Sequence, residues 1–265
     1  MNRLDFYTSI TPSTRQLEIQ SLGFYAFLHF GMNTFLDKEW SDGKASPSLF
    51  CPTQLDTDQW VRALRNAGMR GAILTAKHHD GFCLWPSKLT NYTVALSPYR
   101  NGKGDIVGEL SRSCAKYGLK FGIYLSPWDR HDERYGTPAY DEFYVGQLTE
   151  LLTQYGKIFT VWLDGACGTY LDGKPKQAYD FDRYYETIRR LQPGCIISNC
   201  GPDVRWIGNE SGITRRSEWN VVPRFAYDIQ TIENNSQQAD DPAFRKKGAD
   251  IAIASWKPQG AGRAR

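Results

Sequence analysis

The sequence predicts an α/β protein of the (β/α)8 TIM-barrel type. Short apolar runs rich in β-forming residues alternate with longer amphipathic runs, which is typical of βα units that build a parallel sheet. Polar and aromatic residues collect just after the apolar runs, whereas the segments leading into the next run are short and plain. Because a barrel of this type forms its site at the carboxyl ends of the strands, we expect these polar segments to meet at one mouth.

The individual elements follow from apolar runs, caps and breakers. Five runs predict strands, with a weaker sixth at 205–209: 24–30, 71–77, 120–126, 158–164 and 195–200. Four amphipathic stretches predict helices that begin at polar caps and end at glycine or before proline: 56–68, 105–118, 139–156 and 181–191.

The spacing of the strands bears on the extent of the barrel. Strands recur roughly every 43 residues, so the 55 residues after position 210 are too few for two further units of that size. We therefore expect residues 1–265 to form one catalytic (β/α) barrel domain whose last one or two βα units are missing or compressed. A chain of this length also allows two smaller domains.

Composition argues against several classes of partner. The net charge of +3 and the absence of a basic cluster with interleaved aromatics argue against nucleic acid. No run of eighteen apolar residues and no signal-peptide pattern occurs, so we expect no membrane segment and a cytoplasmic location for the chain as written. The six cysteines show no CxxC pair and predict no disulfide framework.

Asp164 is the first candidate for chemistry. It ends the apolar run VWLD, and an ionisable group at the end of a buried strand costs stability unless it is paired or used. If Asp164 is a nucleophile, a second carboxylate is needed. Glu210, which closes the segment RWIGNE, and Glu218, between Arg216 and Trp219, are the candidates, and the latter also suits a simple ion pair.

Adjacent histidines follow the second predicted strand. His78 and His79 would point to opposite sides of a regular strand, so both serve one site only if the backbone bends, which Gly81 allows. Their spacing is not that of a typical metal site, and hydrogen bonding to substrate hydroxyls is the better functional interpretation. A structural role for one imidazole, or a metal site with Asp164, stays open.

The loop after the first strand adds three candidates. His29 lies at the end of that strand, and Glu39 and Trp40 follow it. A carboxylate accepts hydrogen bonds from hydroxyls and an indole ring stacks on a sugar. Core packing for the histidine and a surface ion pair for the glutamate are the alternatives.

Taken together, the segments FYAFLHFGMNTF, DKEW, TAKHHDGFCLWPS, GIYLSPWD and VWLDGA resemble, in this order, the α-L-fucosidases of glycoside hydrolase family 29. The segment RWIGNE resembles the branch of that family that prefers α-1,3- or α-1,4-linked fucose. The resemblance runs from about residue 8 to about residue 250.

This resemblance implies a (β/α) barrel and retaining exo-hydrolysis of terminal fucose from glycans. Asp164 matches the nucleophile and Glu210 the acid/base. Seven residues match positions that hold fucose: His29, Glu39, Trp40, His78, His79, Tyr124 and Trp162. No metal or organic cofactor is implied.

The chain also departs from the usual family pattern. Family members usually complete the barrel and then carry a β-sandwich domain, and many are exported, whereas we expect neither a sandwich domain nor a signal in this sequence. An inactive, carbohydrate-binding fragment of such an enzyme is therefore the alternative function, and a metal-dependent barrel hydrolase is a third.

Overall fold

The computed structural model describes residues 11–168, 176–200, 202–205, 221–223 and 252–254. Its helices and strands are, in chain order, α1 (Thr14–Leu22), β1 (Ala26–Leu28), α2 (Met32–Leu36), α3 (Thr57–Asn66), β2 (Gly71–Lys77), α4 (Ile106–Tyr117), β3 (Lys120–Leu125), α5 (Pro138–Gln154), β4 (Thr160–Leu163), α6 (Phe181–Leu191), β5 (Ile196–Asn199), β6 (Val221–Pro223) and β7 (Ala252–Ala254). Short 3-10 turns lie at Pro47–Leu49, Val94–Leu96 and Tyr99–Gly102.

The chain divides into two compact units. Phe24–Cys195 forms one unit, and Met1–Gly23 together with Ile196–Arg265 forms the other. In the first unit, β1, β2, β3 and β4 lie side by side in chain order and each neighbouring pair is parallel. The predicted α/β organisation with a parallel sheet is therefore confirmed for this part of the chain.

β2 and the helices behind the sheet supply much of the core of the first unit. Every residue of β2 is buried, as expected for a parallel strand covered on both faces. The helices begin where the sequence predicts caps, since Asp56 accepts a hydrogen bond from the Gln59 amide and Asp105 from the Gly108 amide. Gly118 ends α4 in the left-handed conformation, with φ of 75°.

The second unit contains α1 and β5. Ser13 and Gln16 form a capping box at the start of α1. Asp203 connects the two elements: its carboxylate accepts hydrogen bonds from the Arg15 side chain at 3.2 Å and the Ile197 amide at 2.8 Å, and its carbonyl accepts one from Gln16. The short strands β6 and β7 pair antiparallel.

Most predicted elements are present, several of them with shorter ends. The strand predicted at 24–30 spans only Ala26–Leu28, and α1 and α2 are not predicted from the sequence. The weak strand at 205–209 is described only at Arg205, which forms an isolated bridge with Cys200, and its other residues lie outside the described ranges. The predicted extent of the barrel also depends on residues that are mostly outside those ranges, and it stays a prediction.

Candidate active site

Asp164 lies directly after β4, at the carboxyl edge of the parallel sheet. Its Oδ2 accepts a hydrogen bond from the Tyr124 hydroxyl at 2.7 Å, and its Oδ1 accepts one from the Ala166 amide at 2.8 Å. The side chain is 23% exposed, so the carboxylate is held in place but still open to a ligand. Both hydrogen bonds fix the plane of the group.

Tyr124 projects from β3 beside β4, where it is paired in register with Trp162. Burial raises the pKa of Tyr124 well above its usual value, and the nearby charge of Asp164 raises it further. The phenol therefore stays a hydrogen-bond donor throughout the physiological pH range. Its ring contacts Trp162 and Phe27, with centroids 5.3 Å and 5.6 Å away, so aromatic surface adjoins the carboxylate.

The two adjacent histidines after β2 share one side of the site because the backbone turns there. The Gly81 amide donates to the His78 carbonyl at 3.0 Å, and Gly81 has φ of 84°. A Cβ at Gly81 would lie 2.5 Å from Oδ1 of Asp129, so only glycine fits. The imidazole centroids of His78 and His79 are 4.1 Å apart, and the bend predicted from the sequence is present.

These imidazoles are neutral at physiological pH. Burial is the main cause, and repulsion from neighbouring basic side chains a lesser one, of a pKa lowered to about 3 in both His78 and His79. His29, whose ring centroid is 4.6 Å from that of His78, also has a lowered pKa, chiefly through burial. His79 Nε2 lies 3.9 Å from Asp164 Oδ2, too far for a hydrogen bond.

Two tryptophans form a rim beside His79. The Trp40 ring, 52% exposed, lies edge-on to His79 at 5.9 Å and to Trp128 at 5.8 Å. The Trp128 ring itself packs against His79 at 4.9 Å. Glu39 is exposed, and its charge acts on His29. An open aromatic edge therefore adjoins the buried, neutral part of the site.

The structure brings most of the predicted site residues together. Ring contacts join His29, His78, His79 and Trp40, and the Tyr124 ring joins Trp162 and, through its hydroxyl, Asp164. The stacked rings of His78 and Tyr124, 5.9 Å apart, connect the two groups, and the charge of Glu39 acts on His29. Glu210 and Glu218 lie outside the described residues, so the choice between them stays a prediction. The roles assigned to all of these residues are likewise predictions.

Sequence reasoning missed four residues that belong to the site. Asn33 and Ser126 contact the two imidazoles, Phe27 packs on Tyr124, and Trp128 forms part of the rim. Ser126 and Trp128 belong to the segment SPWD, one of the polar segments expected at the mouth. That position was the available signal, and Asn33, in the segment HFGMNTF after the first strand, carries the same one, whereas nothing in the local sequence marks Phe27.

The described ranges contain neither a metal-binding cluster nor a membrane-spanning helix. There, no three His, Cys, Asp or Glu side chains are arranged to hold one metal ion. Over the same ranges, none of the helices combines the length and the apolar character required to cross a bilayer.

The sequence matches the family model described as alpha-L-fucosidase over residues 20–222. Among curated proteins, Alpha-L-fucosidase 1 of Arabidopsis thaliana is 50% identical over 232 residues, which cover 87% of this chain and 45% of that protein. An alpha-L-fucosidase of Dictyostelium discoideum is 32% identical over 42% of this chain and 26% of its own length. The chain thus spans less than half the length of the curated relatives it matches.

Solved structures give the same result. A glycoside hydrolase 29 family member from an unknown rumen bacterium matches 80% of this chain and 41% of its own, with 47% identity and a TM-score of 0.75. A GH29 fucosidase from Ruminococcus gnavus in complex with fucose matches 81% of this chain and 48% of its own, with 37% identity and a TM-score of 0.72. The catalytic domains of these neighbours are TIM barrels, which confirms the predicted fold class. The chain therefore belongs to the alpha-L-fucosidase family, glycoside hydrolase family 29.

Proposed function

We propose that this chain carries the nucleophile and the fucose-binding wall of a retaining exo-α-L-fucosidase that acts on α-1,3- or α-1,4-linked fucose of glycans. The observation that carries the proposal is the carboxylate of Asp164, fixed by Tyr124 and a backbone amide at the edge of a parallel sheet and surrounded by imidazole and aromatic rings. The names of the relatives and the fucose complex of the Ruminococcus gnavus enzyme support this substrate.

The reaction consists of two displacements at the anomeric carbon. In the first, an Asp164 oxygen attacks that carbon, the bond to the aglycone oxygen breaks, and an acid protonates the departing oxygen. In the second, the residue that served as the acid now acts as a base and deprotonates a water molecule. This water attacks the fucosyl ester and releases both fucose and the Asp164 carboxylate. Glu210 is our candidate for the acid/base, and it must then lie about 5–5.5 Å from Asp164.

The surroundings of Asp164 suit a nucleophile. The Tyr124 hydroxyl and the Ala166 amide orient the carboxylate without neutralising it. Among the described residues, His79 is the basic side chain within ion-pair distance of Asp164. Its imidazole is neutral at physiological pH because its pKa is lowered to about 3. Within that part of the chain, no charged imidazole therefore competes with the sugar for the Asp164 carboxylate.

The walls of the site suit a deoxy sugar. Neutral imidazoles and the Glu39 carboxylate exchange hydrogen bonds with hydroxyl groups, while the rings of Trp162 and Trp40 offer apolar faces to C–H groups and to the C6 methyl of fucose. Because the Trp40 ring is exposed, we assign it to the junction of the sugar and the aglycone. The preference for branched α-1,3/1,4 linkages rests on the segment RWIGNE.

Substitution of Asp164 tests the proposal. Asp164→Asn keeps both hydrogen-bonded positions occupied but removes the nucleophile, so turnover of an aryl α-L-fucoside should fall by on the order of 10³-fold or more. Asp56→Asn is the matched control, because Asp56 caps α3 away from the site and asparagine caps equally well. Normal turnover by the Asp164 variant would refute the assignment, and loss of wild-type turnover on chelation would favour a metal-dependent hydrolase instead.

A further inference from the structure

The imidazoles of His78 and His79 are each held by one polar side chain from another element. Ser126 Oγ lies 2.6 Å from His79 Nδ1, and Asn33 Nδ2 lies 3.3 Å from His78 Nδ1. A neutral imidazole carries one N–H, and its position is set by the partner of the other nitrogen. The other hydrogen bonds that Ser126 and Asn33 form therefore decide which nitrogen of each ring carries no hydrogen.

Ser126 has only one hydrogen to donate, and a carbonyl takes it. Its hydroxyl donates to the Trp128 carbonyl oxygen at 2.7 Å, and a carbonyl oxygen only accepts. Ser126 Oγ must then accept from His79, so Nδ1 of that ring carries the hydrogen. Nε2 of His79 is left with a bare lone pair on the side of the ring that faces the Asp164 carboxylate, 3.9 Å away.

Asn33 imposes the opposite arrangement on His78. Its Nδ2 donates to the Glu39 carbonyl oxygen at 3.2 Å, which requires the amide nitrogen on that side and leaves its second hydrogen for His78 Nδ1. Turning the amide over would place Oδ1 against a carbonyl oxygen. In the observed orientation Oδ1 has no hydrogen-bond partner within the described residues, so the Glu39 carbonyl is the contact that sets the amide orientation. His78 therefore accepts at Nδ1 and carries its hydrogen on Nε2.

We propose that Asn33 and Ser126 are positioning residues that hold His78 and His79 in opposite tautomers, so that the pair offers one N–H donor and one bare nitrogen acceptor to a sugar hydroxyl. The sugar in this statement rests on the proposed function, whereas the tautomers rest on the hydrogen bonds alone. A hydroxyl group can accept from one ring and donate to the other at the same time.

The burial of the two rings agrees with this arrangement. Because the pKa values of both imidazoles are lowered to about 3, each ring keeps a single hydrogen at neutral pH and the distinction between donor and acceptor persists. Opposite tautomers also discriminate between ligands. A fluorine or methoxy group in place of the hydroxyl accepts from His78 but offers nothing to the bare nitrogen of His79.

Nuclear magnetic resonance of the imidazole nitrogens tests the tautomers without any substrate. The chain has four histidines, so ¹⁵N-histidine labelling gives four spin systems, which single His→Gln variants assign. At neutral pH we expect His79 to be protonated at Nδ1 and His78 at Nε2. The same tautomer in both rings, or an imidazolium in either, would overturn the proposal.

Two variants separate positioning from simple packing. Ser126→Ala should release His79 into a mixture of tautomers and lower kcat/KM for an aryl α-L-fucoside about tenfold, the usual worth of one hydrogen bond. Ser126→Thr keeps the hydroxyl and should retain both the tautomer and most of the activity. If Ser126 has a purely structural role, Ser126→Ala should have a lower melting temperature, but His79 should keep its tautomer in that variant. That result would refute the assignment of Ser126 as a positioning residue.

The two proposals fail separately. If the expected tautomers are found in a chain that does not hydrolyse the fucoside, the proposed function is wrong and the positioning roles stand. If the chain hydrolyses the fucoside but the two tautomers are the same, the positioning roles are wrong and the proposed function stands.

Discussion

Loss of the buried cation at the end of β2 should destabilise the protein strongly. Lys77 is fully buried, and its Nζ donates to Asp129 Oδ2 at 2.9 Å and to the Tyr140 hydroxyl at 3.2 Å. The rings of Tyr140, Phe143 and Tyr144 surround it, with centroids 5.4 to 5.6 Å from Nζ. Lys77→Met keeps an apolar chain of similar length among these rings but removes the charge and the donor.

The size of the loss in stability follows from the Asp129 carboxylate, which remains in the core without its partner. Without Lys77, the Asp129 carboxylate stays buried with no cation against it, and breaking a buried pair from one side costs about 3–5 kcal/mol. Asp129 also accepts hydrogen bonds from the amides of His131 and Asp132, so the carboxylate cannot turn out to water without losing them. The double variant with Asp129→Asn should recover part of the loss, since asparagine needs no countercharge.

A surface ion pair provides the control. Lys116 Nζ lies 2.5 Å from Asp58 Oδ2, closer than the buried pair, but the Lys116 side chain is 60% exposed and water screens the interaction. Lys116→Met should therefore change the unfolding curve little. Urea unfolding followed by tryptophan fluorescence measures both variants. A Lys77→Met protein as stable as the parent, or an equal loss in Lys116→Met, would refute the reasoning that burial rather than distance decides the energy.

Two further predictions concern the histidine turn. Gly81→Ala should cost more stability than Gly118→Ala, because both glycines have positive φ but a Cβ at Gly81 overlaps Asp129 whereas nothing lies within 4 Å of one at Gly118; equal losses of the unfolding midpoint would contradict this. The free energy of unfolding should also fall as pH drops from 6.5 towards 3, because His78 and His79 bind protons in the unfolded chain but stay neutral in the folded protein. His79→Gln should reduce that slope by about 1.4 kcal/mol per pH unit, and an unchanged slope between pH 4 and 5.5 in urea titrations would count against neutral imidazoles.

The parallel sheet and its helices could be predicted because their signals are local. β2 is a continuous apolar run, and α3 and α4 begin at capping aspartates. α1 escaped prediction because its sequence, TRQLEIQSL, has little apolar periodicity, and its contacts to Asp203 come from a segment far along the chain.

The candidate site was predictable for a related reason. Asp164 and His78 lie just after strands, so the geometry of a parallel sheet brings them to one edge, whereas Tyr124 was expected only from the resemblance to the family. Asn33 and Ser126 lie in the polar segments that follow β1 and β3, but that position alone does not single them out. Their importance arises from hydrogen bonds between different loops, and a single amide or hydroxyl in a loop has no pattern that a sequence displays.

The central claim, that Asp164 is the nucleophile, is tested most directly by trapping the intermediate. A 2-deoxy-2-fluoro-α-L-fucosyl fluoride should transfer its fluorofucosyl group to the chain with loss of fluoride. The fluorine at C2 slows both displacements, and the anomeric fluoride, a good leaving group, keeps the first faster than the second. Mass spectrometry of the digested protein should then find one added fluorofucosyl group on the peptide that contains Asp164. An adduct on a different carboxylate, or hydrolysis of an aryl fucoside with inversion at the anomeric carbon, would contradict the account.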